Sequence, residues 1–231
     1  MPLDGPYAYK VEFLGVTCGH VTLESRLENF AGRPAYHIIM TGRNSKFFNK
    51  IYRVDGRIDS WVDAETMTTL EYESVIVEKG ERKVRRYRVD TEAKVVKAEK
   101  HGNVTTLPFD GERSLDPLAF VVRARVLAGA PGTTFGLRLL TDKGPFESIS
   151  QVGKLKRFET FEGDRELLRI QPMPVDRELS SRKEKFVMWV DPGPRRTLHR
   201  LEFYMSFGSL VVKLTGPEGD ERPVHPTVGV H

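Results

Sequence analysis

Two arginines, Arg123 and Arg125, stand out chemically because they interrupt an otherwise apolar segment that runs from Ser114 to Gly129. A charge beside so much apolar surface is costly unless it reaches solvent, pairs with a carboxylate or meets an anionic ligand. A guanidinium group presents a planar fork of donors that suits a carboxylate or a phosphate. A structural ion pair is the simpler interpretation, and in the competing interpretation both arginines are candidate binding residues for an anionic head group.

Aromatic side chains could line an apolar cavity beside these arginines. Small-ligand cavities are lined mostly by apolar and aromatic groups with few polar atoms. Aromatic residues on strand faces also form ordinary core, so plain packing is the alternative. The candidate lining residues are Tyr52, Trp61, Trp189, Phe203 and Tyr204.

The sequence contains no nucleophile elbow, phosphate-binding loop, dinucleotide fingerprint or metal-ligand spacing of His and Cys. We expect His37 and His199 to lie in strands and face water. Cys18 could be a nucleophile if His20 lowered its pKa, but a buried packing role is the simpler interpretation. We predict no catalytic residue, no metal ligand and no cofactor.

Two groups of charged residues can be interpreted either as functional or as structural. The segment Arg82–Arg88 could contact a polyanion, but its acidic neighbours favour a solvated strand at the rim or on the outside of a sheet. Asp55, Asp59 and Asp63 recur near strand ends, where turn capping competes with paired-carboxylate chemistry. Neither group alone indicates an activity.

Composition limits the class of protein. A chain of 231 residues with a net charge of +4, from 36 basic and 32 acidic residues, has a mixed surface, so nucleic acid is not indicated. One cysteine excludes an internal disulfide, and no apolar run is long enough for a membrane helix. We expect one domain over residues 1–216 and a flexible tail over residues 217–231, which is rich in proline and poor in large apolar side chains.

The positioning elements are one helix and many strands. Asp116 is suited to the N-cap, Pro117 to the first turn and Gly129 to a left-handed C-terminal cap, which predicts a helix over residues 116–128. This helix is apolar nearly all round, so we expect it to be enclosed by a curved sheet. Alternating segments with short connections on both sides predict antiparallel strands. The predicted fold is mainly β: a large antiparallel sheet curled into a half-barrel or incomplete barrel around one long helix.

Several short motifs carry a resemblance to a known family. They are Y-x-V-x-F with G-x-x-x-G from Tyr9 to Gly19, the pair Val54-Asp55, the helix D-P-L-A-F-V-V-R-A-R, and the closing W-V-D-P-G-P-R-R with F-G-S-L-V-V-K-L. Over roughly Tyr7 to Gly216 the chain resembles a bacterial envelope family of unknown function whose members share the half-barrel of LolA- and LolB-like lipoprotein carriers and receptors. The resemblance implies the same half-barrel.

The resemblance also implies a periplasmic or envelope location after removal of an export signal. The chain as given begins without a signal peptide, and a cytoplasmic location is expected if it is complete. We expect a non-enzymatic protein that binds an apolar or amphipathic ligand, such as a lipid or lipoprotein, or an envelope protein partner, in the concave face. The alternatives are a cofactor-independent enzyme that uses the same cavity, and a scaffold whose cavity is filled by its own helix. The oligomeric state is left open.

Overall fold

The computed structural model describes residues 5–45, 54–109, 114–141, 144–175, 185–206 and 208–217. Tyr52 and the tail beyond residue 217 lie outside these ranges. The described residues form fifteen strands and one helix, in the order β1 Tyr7–Phe13, β2 Val16–Phe30, β3 Arg33–Asn44, β4 Val54–Asp63, β5 Thr69–Glu78, β6 Glu81–Asp90, β7 Val95–Lys100, β8 Asn103–Pro108, β9 Ser114–Leu115, α1 Pro117–Leu127, β10 Thr134–Thr141, β11 Gly144–Thr160, β12 Gly163–Pro174, β13 Lys185–Val190, β14 Leu198–Met205 and β15 Gly208–Pro217.

All fifteen strands belong to one sheet, in the order β8-β7-β6-β5-β4-β3-β2-β1-β15-β14-β13-β12-β11-β10-β9. Strands that follow one another in the chain are neighbours in each half, and the halves are joined where β1 pairs with β15. Every pair is antiparallel except β9 with β10, which is parallel. Since β8 and β9 form the two edges and do not pair with each other, the sheet is not closed into a barrel.

The sheet is strongly curled. Tyr72 on β5 and Phe146 on β11 line the same cavity although their strands lie nine positions apart in the sheet. In a flat sheet that separation would be roughly 40 Å, at about 4.8 Å per strand. One apolar core also joins the two halves, from Val96 on β7 to Leu140 on β10. The expected large curled sheet is therefore present.

The helix begins where the sequence predicts. Asp116 is the N-cap, and its Oδ1 accepts hydrogen bonds from the amides of Leu118 at 2.9 Å and Ala119 at 3.0 Å. The C-terminal expectation is wrong, because Ala128 is extended and Gly129 is not among the residues with positive φ. With 11 residues, α1 is of ordinary length and not the long helix that was expected.

Burial of α1 is extensive but uneven. Its buried residues include Leu118, Phe120 and Val122, which pack into the core formed by the strands. Val121 and Leu127 are half-buried, since each borders open space. The helix therefore occupies part of the concave face and leaves the rest unfilled.

Strand β6 differs from its expected place at the rim. It lies between β5 and β7, two positions in from the β8 edge, and Tyr87 at its centre is 1% exposed. The concave face of β6 carries the buried Tyr87 and, further along, the basic residues Arg85 and Lys83. For this reason the sequence of β6 shows no consistently apolar face.

Candidate functional site

An apolar cavity of about 590 Å³ occupies the concave side of the sheet beside α1. The helix covers one end of the concavity, where Asp116 contacts β4 and β5 and Arg125 reaches the β13–β14 loop. The cavity takes up the space between the helix and the opposite ends of the strands. Its lining residues are Tyr9, Val11, Val21, Leu23, Met40, Ile58, Tyr72, Pro117, Leu118, Phe120, Val121, Leu139, Phe146, Ser148, Pro172, Phe186, Leu198, Leu201, Phe203, Leu210 and Val212.

Among the residues that the structure describes, none of those lining this cavity is charged. Its polar atoms are the hydroxyl groups of Tyr9, Tyr72 and Ser148, and the Ser148 hydroxyl donates to the carbonyl of Met173 at 3.2 Å. The volume lies within the range of about 300–1,000 Å³ that is usual for small-ligand sites. The site can therefore shield an apolar body from water.

Two glycines extend the cavity across β3 and β4. Gly42 and Gly56 are direct partners in the β3–β4 ladder, and both line an adjoining pocket of about 180 Å³. This pocket shares Val11, Met40 and Ile58 with the main cavity. A Cβ atom at Gly42 would lie 3.4 Å from the Val21 side chain, and one at Gly56 would lie equally close to Ile76. The absence of side chains at these positions keeps the floor open.

The wall formed by β5 and β6 is the polar side of the cavity. Tyr72 stacks on Tyr87 with ring centroids 5.2 Å apart, and the Ser74 side chain hydrogen-bonds the Tyr72 hydroxyl. Burial, assisted by the negative charge of Asp116, raises the pKa of Tyr72 to about 12, while Ser74 and the charge of Arg85 act in the opposite direction. The Tyr72 hydroxyl is therefore protonated at neutral pH and remains a donor.

Neither Arg125 nor Arg123 is among the residues that line the large cavity, although Arg125 borders a small pocket with Tyr9, Leu23 and Leu198. Arg125 is 4% exposed, and its Nη1 donates to the carbonyl oxygens of Arg195 at 3.4 Å and Arg196 at 3.2 Å. Arg123 is half-buried in a separate depression that also contains Glu65 and Glu147. The structure thus brings neither arginine to the apolar cavity.

The two tryptophans are on the convex face. Trp61 stacks on His37 at 4.3 Å and on Phe30 at 5.0 Å, and its Nε1 donates to Glu28 at 2.9 Å. Trp189 is 6% exposed and forms a small cluster with Leu167, Val187 and Phe158. Neither lines the cavity.

Phe203 and Tyr204, which are adjacent on β14, lie on opposite faces of the sheet. Tyr204 is 42% exposed and donates to Glu202, whereas Phe203 points to the concave side and lines the cavity. Among the expected aromatic lining residues that the structure describes, Phe203 is the one that the cavity contains.

The histidines that were expected to face water are buried. His37 is 4% exposed, with Nε2 2.8 Å from Asp59 and Nδ1 3.2 Å from Glu28. His199 is 7% exposed, and burial lowers its pKa, so it is neutral at neutral pH. The expectation failed because strand alternation does not show which face is covered by neighbouring side chains.

The other candidate reactive residues, Cys18 and Asp63, form hydrogen bonds with the main chain. Burial raises the pKa of Cys18, whose thiol donates to the Val11 carbonyl at 3.4 Å, and His20 is exposed. Asp63 accepts from the amides of Glu65 and Thr66, which agrees with the turn-capping interpretation. Within the described ranges no three His, Cys, Asp or Glu side chains are grouped to hold a metal ion.

Comparisons with known proteins place the chain among proteins without an assigned activity. A sequence family described as "Protein of unknown function (DUF3108)" matches residues 8–215. No curated protein matches. No helix in the described part of the chain is both long and apolar enough to cross a bilayer.

Three solved structures are similar in fold. A β-barrel-like protein of the family DUF1849 from Brucella abortus is 11% identical with a TM-score of 0.59, over 90% of this chain and 94% of its own. A protein from Bacteroides fragilis described as exported, with a YmcC-like fold, is 11% identical with a TM-score of 0.33, over 94% and 97%. A protein from Parabacteroides distasonis described as a lipoprotein is 10% identical with a TM-score of 0.31, over 92% and 94%. The first supports the β-barrel-like fold.

Proposed function

Because the chain belongs to the DUF3108 family, for which no activity is known, we propose from its geometry that it is a non-enzymatic binding protein for an apolar or amphipathic small molecule. The observation that carries this proposal is the uncharged cavity of about 590 Å³ beside α1. An apolar ligand in a cavity of this size would remove apolar surface from water and gain dispersion contacts with the lining. The proposed site is the cavity lining, with Phe120, Phe186 and Phe203 as its large aromatic walls.

Binding is favoured over catalysis by the chemistry of the lining. Acid–base or nucleophilic catalysis needs titratable groups within hydrogen-bond reach of the substrate and of each other. The titratable lining residues are Tyr9 and Tyr72, and the pKa of Tyr72 is raised away from neutrality. The pure scaffold alternative is disfavoured because α1 leaves a cavity of about 590 Å³ on the concave face.

The finer expectations from the sequence remain part of this proposal. We infer a lipid-like ligand and an envelope location from the resemblance to lipoprotein carriers, and the uncharged cavity is compatible with an acyl chain. Fractionation of host cells with an antibody against the protein tests the location, and recovery in the cytoplasmic fraction would contradict it.

The binding proposal is tested with a neutral fluorescent probe, N-phenyl-1-naphthylamine, whose emission rises in apolar surroundings. We expect saturable binding to the wild-type protein. Val121→Trp should reduce the affinity at least about tenfold, since the indole would occupy the cavity, and loss of about 1.4 kcal/mol corresponds to that factor.

The matched control is Val126→Trp, on the same helix but outside the lining. It should leave probe affinity unchanged. Absence of saturable binding by the folded wild-type protein, or equal affinities for the two variants, would refute the cavity as a binding site.

A further inference from the structure

Strand β6 places a positive charge on the concave face of the sheet, beside the point where Tyr72 of β5 lines the cavity. Tyr72 pairs with Tyr87 and Ser74 pairs with Arg85 in the antiparallel ladder. Side chains of directly opposed residues share a face, and so do residues two apart on one strand. Since Tyr72 lines the cavity, Ser74 and Arg85 project from the same concave face, next to its polar wall.

Arg85 has no acidic partner within the described residues. It is half-buried, and none of the described carboxylates lies within ion-pair distance of its guanidinium group. Its neighbours on β6 differ: Arg86 on the convex face pairs with Glu73 and Glu99, and Lys83 pairs with Glu78. A half-buried guanidinium without an anion is less stable than one that meets a carboxylate or phosphate.

The next strand adds positive charge on the same face. Lys100 on β7 is the direct ladder partner of Arg85. Lys100 therefore shares the concave face with Arg85.

Asp116, whose charge acts on the Tyr72 hydroxyl, is held by hydrogen bonds to groups other than Arg85. Asp116 accepts four hydrogen bonds, from Ser60 at 2.6 Å, Thr69 at 2.7 Å and the amides of Leu118 and Ala119. These donors satisfy both of its oxygens, and Asp116 forms no ion pair with Arg85.

We propose that the cavity ligand is an anionic amphiphile whose carboxylate or phosphate group binds Arg85 while its apolar body lies in the cavity. This inference rests on the proposed binding function and adds the chemical class of the ligand. Arg85 supplies the charge-assisted donors, Tyr72 and Ser74 supply hydroxyl groups beside it, and the lining residues exclude water from the apolar body.

The test compares three probes with the same chain, dodecanoate, dodecyl phosphate and dodecanol, by displacement of N-phenyl-1-naphthylamine. Wild-type protein should bind at least one of the anions about 10–100-fold more tightly than dodecanol, the range that corresponds to a charge-assisted hydrogen bond of about 1.5–3 kcal/mol. Preference for the carboxylate indicates a fatty-acid-like ligand, and preference for the phosphate indicates a phospholipid-like ligand. Dodecylammonium should bind more weakly than dodecanol.

Arg85→Met should remove the preference for anions and leave the affinity for dodecanol unchanged. The matched control is Arg88→Met, which removes one positive charge from the same strand on the convex face, where Arg88 pairs with Glu71. Equal wild-type affinities for anion and alcohol overturn the head-group assignment even if the Arg85 variant fails to fold. Failure of every probe, dodecanol included, overturns the proposed binding function itself.

Discussion

Arg125 shows how main-chain oxygen atoms contribute to the stabilisation of a charge on an apolar helix. Its guanidinium donates to two successive carbonyl oxygens, those of Arg195 and Arg196, in the loop after β13. Hydrogen bonds to charged groups contribute about 1.5–3 kcal/mol each. Arg125 therefore ties the C-terminal half of α1 to the sheet, a role that a sequence cannot distinguish from ligand binding because the partners are main-chain atoms distant in the chain.

The sequence also could not predict which face of the sheet the tryptophans occupy. Strand alternation shows that Trp61 and Ile58 point to opposite faces of β4, but not which face is concave. In this protein the convex face has its own aromatic and ionic clusters, so large side chains occur on both sides of the sheet. Arg85 could not be recognised as a concave-face residue for the same reason, because β6 carries charges on both faces.

Glu202 gives a prediction for the dependence of stability on pH. Burial raises its pKa, but hydrogen bonds from Tyr204 and Arg200 lower it more strongly, so the net pKa is below the usual 4.5. A lowered folded-state pKa means stabilisation that is present above pH 4.5 and is lost as the pH falls through the folded-state value. Glu202→Gln should therefore reduce the free energy of unfolding at pH 7 by about 1–2 kcal/mol and have less effect near pH 3.

Urea unfolding at pH 7, 5 and 3 measures this difference. The comparison variant is Glu166→Gln on strand β12, which is separated from β14 by β13 and lies outside the Glu202 hydrogen bonds. An undiminished difference between wild type and Glu202→Gln at pH 3 would contradict the assigned pKa direction.

Among the elements, α1 is the best predicted, because its start depends on local signals. Asp116 and Pro117 fix the first turn through hydrogen bonds and a backbone angle that involve near neighbours only. The end was less predictable. The chain leaves α1 in an extended conformation at Ala128, which packs into the core, so tertiary contacts replace the glycine cap.

The attachment of α1 to the sheet gives the second prediction. Asp116→Ala removes an N-cap, worth about 0.5–2 kcal/mol, and leaves the buried hydroxyl groups of Ser60 and Thr69 without their acceptor. We expect a loss of about 2–5 kcal/mol in the free energy of unfolding, because each unsatisfied buried donor costs about 1–3 kcal/mol.

Asp90→Ala is the control for this substitution. Asp90 accepts from the amides of Glu92 and Ala93 in an exposed turn, with the same local geometry but no buried partner. Its loss should stay below about 1 kcal/mol. Similar losses for the two variants in denaturant melts would show that the contacts of Asp116 with β4 and β5 add little.

For the molecule as a whole, the decisive feature is the junction between β1 and β15. Tyr7 and Pro217 are ladder partners, so the two ends of the described chain meet in the middle of the sheet. The edges β8 and β9 are consecutive in the chain. The alternating segments and short connections predicted the strands within each half, but the junction has no local signal because its partners lie at opposite ends of the described chain.

Circular permutation tests this topology. A short Gly/Ser linker from residue 217 to residue 5, with new ends between β8 and β9, should keep the stability within about 1 kcal/mol, since no ladder is interrupted. Folding should accelerate, because the pairing of β1 with β15 becomes local and the contact order falls.

The control permutant carries the same linker but is opened at Gly32, between the central strands β2 and β3. It should be less stable than the edge permutant, since it loses a hairpin connection inside the sheet. Stopped-flow refolding and urea melts measure both quantities. Equal refolding rates for the native chain and the edge permutant would show that the junction forms after the rate-limiting step.

The same junction has a consequence for biosynthesis. The strands β1 to β8 are complete when residue 108 has been translated, whereas β15, the partner of β1, begins about a hundred residues later. At roughly 5–20 residues per second this interval lasts on the order of 5–20 s. Early in this interval α1 is translated, but the apolar concave face of the first half still lacks the complete second half to cover it. The nascent chain is therefore a substrate for holding chaperones, and synonymous codons that slow translation of the second half should lower the soluble yield without any change in the finished protein.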